Sequence, residues 1–182
     1  MLSRRGQADE RTRARLVPIT STFLMQVYLI RHAQAGQREE GHSDAYRRLS
    51  DKGEARAFEL IDLFDSAPIA RVFSSPATRC VQTVTPLADA RGLIVEENDV
   101  LWEDAYAAET LAFLEKQCAE TDGSCIVACS HGNIIPELID LLGRRDVAVT
   151  GHGCEKGSVW VLTNADGIWT EARRVKKKAD SV

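Results

Sequence analysis

Three short apolar runs set the limits on what this chain can fold into. QVYLIR (26–31), ARVFSS (70–75) and CIVACS (125–130) are rich in aliphatic and β-branched side chains and lack the regular polar alternation of a strand with one wet face. Strands of that kind belong to a sheet covered by helices on both sides. GLIVEE (92–97) is a fourth, weaker candidate. Helical spacing fills the intervals. After the turn-like Ser50-Asp51-Lys52-Gly53, the side chains of Ala57, Leu60, Ile61 and Phe64 fall on one helical face, and Leu111, Leu114 and Cys118 do the same within 106–120. A third helix is expected from Pro76, tolerated in a first turn, to about Ala90, and a fourth after Gly132 with Ile135, Leu138 and Leu142 on its buried face. GSVWVLT (157–163), the turn Asn164-Ala165-Asp166-Gly167 and IWTEARR (168–174) predict a terminal hairpin. This order predicts the α/β class, a three-layer α/β/α sandwich on a mostly parallel sheet, with no internal repeat.

One domain is expected over residues 25–175. A chain of 182 residues, 44% apolar and 27% charged, suits a single globular unit. Residues 1–24 show no apolar periodicity and are rich in Arg, Gln and Thr, which predicts a disordered arm; Met25 is then a candidate translation start as well as the domain edge. Residues 176–182 read as a basic tail.

The net charge of −4 conceals an asymmetry: five arginines against Asp9 and Glu10 give residues 1–18 a charge of +3, and five basic residues against Asp180 give residues 173–182 a charge of +4, so the body between carries −11. An acidic body is a poor surface for a nucleic-acid polymer. No run reaches the ~18 apolar residues of a membrane span, and the N-terminus lacks the order of a secretory signal, so a cytoplasmic location without a membrane partner is expected. Cysteines 80, 118, 125, 129 and 154 are odd in number and without a C-x-x-C pair, which predicts reduced thiols. Cys125, Cys129 and His131 share a strand face by period two, but two thiols and one imidazole leave a metal without a fourth ligand; small buried fillers are the expected reading.

The chemistry concentrates where the strands end. Arg31-His32 follow the first run, Ser74-Ser75 and then Arg79 the second, and Ser130-His131-Gly132 another. Ligands of open α/β sheets bind outside the carboxyl ends of strands, so three separate segments converge on one rim. Two imidazoles and two guanidiniums gathered there call for an anion between them, and the planar fork of arginine matches phosphate oxygens. Gly132 and the first amides of the following helix add backbone donors for the same anion.

In this order L-I-R-H-A, F-S-S-P-A-T-R-C-V-Q-T, L-W-E and C-S-H-G resemble the histidine phosphatase superfamily, with its phosphoglycerate-mutase-like fold, across roughly residues 26 to 163. R-H-A-Q-A-G-Q-R, R-R-L-S-D-K-G, S-H-G-N-I-I-P and C-E-K-G-S-V-W-V-L are similar to its small SixA-like branch and to the C-terminal phosphatase domain of two-domain Nudix proteins. The resemblance implies that His32 is the nucleophile taking the phosphoryl group and that Arg31, Arg79 and His131 clamp its oxygens. It implies no metal and no cofactor, and a phosphorylated small molecule or a phosphohistidine protein as partner. Ala33 stands where many members have Gly, and Arg38 where many mutase-like members have Asn; Arg38 is a candidate phosphate contact beside a plain solvated loop arginine. Leu101-Trp102-Glu103 resembles the L-x-E that carries the general acid, yet Ala107-Ala108-Glu109 replaces the glycine and second acidic motif that usually follow. Glu103 leads for that role, with Asp104 and Glu109 as rivals.

Other classes are excluded by spacing. None of the five cysteines has an arginine six positions on, which removes the Cys-x5-Arg phosphatases. R-E-E-G at 38–41 lacks the rest of a Nudix box, and Lys156-Gly157-Ser158 lacks the loop of a P-loop. Mutase activity is not expected without the long insertions that close the mutase pocket. Two readings stay open: a phosphatase for phosphohistidine, nucleotides or sugar phosphates, and a non-catalytic phosphate-binding module on the same fold. Specificity is expected in segments 33–48, 99–110 and 144–156.

Overall fold

The computed structural model describes residues 23–38, 40–121 and 125–175. Seven strands form one sheet: β1 (Leu24–Arg31), β2 (Ile69–Ser74), β3 (Val95–Glu97), β4 (Cys125–Ser130), β5 (Ala148–Thr150), β6 (Val159–Ala165) and β7 (Ile168–Arg174). Their order is β3-β2-β4-β1-β6-β7-β5, and β6 alone runs against the rest. The sheet is therefore mostly parallel. Four helices cover it: α1 (Asp51–Leu63), α2 (Thr78–Ala90), α3 (Ala107–Glu120) and α4 (Ile134–Gly143).

Period two sorts the central strands between two cores. Val27 and Leu29 of β1, with Ile126 and Ala128 of β4, pack beneath Leu111, Leu114, Ile135 and Leu138 of α3 and α4. Ile30, Val127 and Cys129 point the other way, against Leu60 of α1 and Cys80, Val84 and Leu87 of α2. All of these side chains are essentially sealed from water, which explains why the runs show no polar alternation. No helix among the described residues is long and apolar enough to cross a membrane.

Several boundaries differ from expectation for local reasons. β1 begins at Leu24, and the Phe23 amide bonds the Asp166 carboxylate, so the strand reaches back into what was read as the arm; residues 1–22 and 176–182 lie outside the described residues. β3 is shortened to Val95–Glu97 because Gly92, at φ 66°, closes the end of α2 and Ile94 faces solvent. The hairpin turn is tighter than predicted. Asp166 and Gly167 both have positive φ, as a two-residue hairpin loop requires, so Asn164 and Ala165 stay in β6. β5, an exposed three-residue edge strand, has no sequence signal at all.

Two packing details fix the rim where the polar residues meet. Ser50 caps α1 by accepting the Gly53 amide, and Gly53 presses so close to the backbone of Gln34 that a Cβ would sit 2.0 Å from its carbonyl oxygen. The loop leaving β1 is thereby held on α1. On the other side, the Ala33 amide donates to Thr83 Oγ1 at 2.9 Å, and that hydroxyl donates to the Arg79 carbonyl at 2.6 Å.

Candidate active site

The exits of β1, β2 and β4 do converge. His32 and His131 meet edge to face with ring centroids 5.5 Å apart, and both are buried. His32 Nδ1 lies 2.8 Å from the Ala33 carbonyl. A carbonyl only accepts, so Nδ1 carries the proton and Nε2 keeps its lone pair. Burial pushes the His32 imidazole down to about 3, with the charges of Arg79 and Arg31 acting in the same direction and the Ala33 hydrogen bond opposing them. The ring is neutral at ordinary pH.

Arg79 is the centre of the polar cluster and is 1% exposed. Its Nη2 donates to Glu103 Oε2 at 2.9 Å and to His131 Nδ1 at 3.3 Å, while Nη1 donates to the Asp44 carbonyl at 2.8 Å and faces Asp44 Oδ2 at 3.3 Å. His131 Nε2 lies 2.8 Å from Ser75 Oγ; since Nδ1 accepts from Arg79, Nε2 is the protonated nitrogen and donates. The Arg31 guanidinium lies over Gly132 and donates to the Cys154 carbonyl. Buried Nε atoms of both Arg31 and Arg79 have no hydrogen-bond partner in the protein. Guanidinium donors without a protein partner, beside a neutral histidine, suit an anion such as phosphate.

Each expected residue has a definite place. Arg31, His32, Arg79, His131 and Gly132 share the cluster. Of the three acid candidates, Glu103 reaches it, 3.7 Å from His131 Nδ1, whereas Asp104 and Glu109 line a neighbouring pocket with Pro76, Trp102 and Tyr106. Arg38 lies at the rim with 73% of its side chain exposed, in an ion pair with Asp44 at 3.0 Å. Cys125, Cys129 and His131 do not assemble: among the described residues no group of three or more His, Cys, Asp or Glu is placed to hold a metal ion.

Asp44 and Arg47 escaped the sequence reading. Asp44 begins a one-turn 3-10 segment (Asp44–Tyr46) capped by Ser43 and takes Arg47 Nε at 2.7 Å. That Arg47 hydrogen bond, helped by the charges of Arg47, Arg79 and Arg38, holds the Asp44 carboxyl below the usual carboxylate range against the opposing penalty of partial burial. The available signal was the i, i+3 spacing of Asp44 and Arg47.

The fold is phosphoglycerate-mutase-like: a phosphoglycerate mutase from Bacillus anthracis superposes with a TM-score of 0.66 at 17% identity, over 82% of this chain and 92% of that one. Residues 27–110 match the family model of the histidine phosphatase superfamily (branch 1). The protein histidine phosphatase SixA complexed with tungstate shares the fold, with a TM-score of 0.62 at 21% identity over 81% of this chain and 96% of that chain. Among curated proteins, an 8-oxo-(d)GTP phosphatase of Mycolicibacterium smegmatis is 32% identical over 145 residues. That match takes in 78% of this chain and 45% of the relative, so the chain spans about half the length of the curated protein it matches.

Proposed function

We propose that the chain is a phosphohydrolase that transfers a phosphoryl group to His32 and then to water. The observation that carries this reading is the buried, neutral His32 with its Nε2 lone pair free, set beside His131 and two guanidiniums whose Nε atoms lack partners. Nε2 attacks phosphorus as the ester oxygen departs, and a water then displaces His32 in a second step. Arg31, Arg79 and His131 stabilise the equatorial oxygens, the main requirement of phosphoryl transfer. Glu103 protonates the leaving oxygen and afterwards takes the proton of the attacking water. These donors supply the charge stabilisation without a metal ion.

The substrate is a phosphorylated small molecule or a phosphohistidine protein. The curated relative favours a nucleotide and the tungstate-bound SixA favours phosphohistidine. Incubating the full chain with a phosphohistidine peptide, nucleotides, sugar phosphates and an aryl phosphate is the direct test. Release of phosphate from at least one of them, undiminished by chelator, is expected. Phosphate binding without hydrolysis of any would make the chain a binding module.

Two variants probe the assignments. Glu103→Gln keeps size and hydrogen bonding but not the transferable proton, so the rate on alkyl phosphates should fall steeply and the rate on aryl phosphate or phosphohistidine only slightly, because those groups leave without enzymatic protonation. Equal losses on all substrates would make Glu103 a positioning residue. Gly132→Ala should displace Arg31, since the new Cβ would meet its guanidinium carbon at 2.5 Å. Relieving that overlap moves the guanidinium by on the order of 1 Å, which lowers kcat/KM by up to about 100-fold, with thermal stability nearly unchanged; wild-type kcat/KM would remove Arg31 from the clamp.

A further inference from the structure

We propose that Asp44 is a built-in counter-anion of the phosphoryl clamp: its carboxylate competes with incoming phosphate for Arg79 and so sets how tightly the site holds phosphate and how readily it lets it go. The inference rests on reading the rim as a phosphate site and adds a residue that the motifs did not indicate.

The geometry separates the two ends of Asp44. Its backbone carbonyl accepts Arg79 Nη1 at 2.8 Å, a bond that orients the guanidinium and carries no net charge. Its carboxylate does something different: Oδ2 faces the same Nη1 at 3.3 Å, the longest of Arg79's polar contacts together with that to His131. The stronger hold on the carboxylate comes from elsewhere. Arg47 grips both oxygens, through Nε at 2.7 Å and Nη2 at 3.2 Å, and Arg38 adds a contact at 3.0 Å from the rim. An anion that engages Arg79 through Nη1 as well as Nε displaces one weak ion pair, while Arg47 and Arg38 keep the carboxylate charged and close by. Arg47 is itself tied to the loop through the Gly36 carbonyl, so the carboxylate is poised to return when phosphate leaves.

A counter-anion and a simple positioning residue predict opposite signs. If the carboxylate served to place Arg79, removing its charge would loosen the clamp and weaken phosphate binding. If it competes, removing the charge strengthens binding, because Arg79 stays oriented by the Asp44 carbonyl, by Glu103 at 2.9 Å and by His131. Asp44→Asn makes this distinction with almost no change of shape.

The experiment is calorimetric titration of the full chain with inorganic phosphate, and separately with tungstate, for the wild type and for Asp44→Asn. Loss of one unit charge a few ångströms from a partly exposed anion site should tighten both by roughly fivefold or more, and phosphate should become a correspondingly stronger inhibitor of aryl phosphate hydrolysis. Unchanged or weakened binding overturns the proposal. Should the asparagine variant fail to fold, Asp44→Ser carries the same prediction of sign and the same refutation. Binding is read without turnover, so the two readings fail separately. A chain that binds phosphate more tightly after the substitution but hydrolyses nothing contradicts the hydrolase and upholds the counter-anion, whereas an active enzyme whose phosphate affinity does not rise contradicts the counter-anion alone.

Discussion

His32→Ala should abolish hydrolysis of every substrate the wild type accepts, because the substitution removes the atom that forms the bond to phosphorus and not merely a contact to it. The effect is expected to reach the assay background while Arg31, Arg79 and His131 still bind phosphate. Small size and a site near the rim, outside the apolar clusters, keep the fold intact. A second signature follows from the buried neutral ring. Burial holds His32 down at about 3, so protonation of the nucleophile removes activity only as pH falls towards that value, and the pH profile of kcat/KM should show no loss attributable to His32 between pH 5 and 7. Full activity in the alanine variant would leave direct attack by water as the only route.

Arg79→Ala carries the next largest expected effect. Arg79 joins Glu103, His131 and Asp44 in one cluster and presents its unpartnered Nε within it. Losing one preorganised donor of this kind costs about 2.7–4 kcal/mol of transition-state stabilisation, or roughly 100- to 1,000-fold in kcat. Arg79→Lys should recover only part of that, since an ammonium keeps the charge but cannot hold Glu103 and phosphate with a planar fork. Both rates are to be measured under saturating aryl phosphate with folding checked by circular dichroism. A lysine variant as active as wild type would show that charge alone, and not the fork, is what the site uses.

How much of this was legible in advance depended on the kind of signal. The three unbroken apolar strands announced a doubly covered sheet, and a parallel sheet brings strand exits to one rim as a matter of topology, so Arg31, His32, Arg79 and His131 could be gathered before any coordinates. Helices α1 and α4 were equally clear from their apolar faces. Tertiary closeness across loops was not. Asp44 reaches Arg79 only because the loop after β1 folds back over α2, pinned by Gly53, by Gln82 Oε1 accepting the Leu49 amide at 2.9 Å, and by the Ala35–Leu49 bridge. Nothing in the local pattern of residues 33–48 encodes that path. Glu103 and Asp104 likewise differ by the direction in which each side chain leaves the irregular segment 102–106, where no helical or strand period fixes a face, whereas Glu109 lies in the first turn of α3. Edge strand β5 was invisible because three exposed residues bury nothing and so carry no hydrophobic pattern.

The covalent intermediate is the central claim, and rapid acid-free quenching during turnover tests it most directly. With a substrate labelled in its phosphoryl group, mixing for milliseconds and denaturing at alkaline pH should leave label on the chain, stable to base, released by acid, and located on His32 by peptide mass spectrometry. The His32→Ala variant should retain none. Label on a different residue, or steady turnover by the wild type with no chain-bound phosphate at any mixing time, would contradict the mechanism.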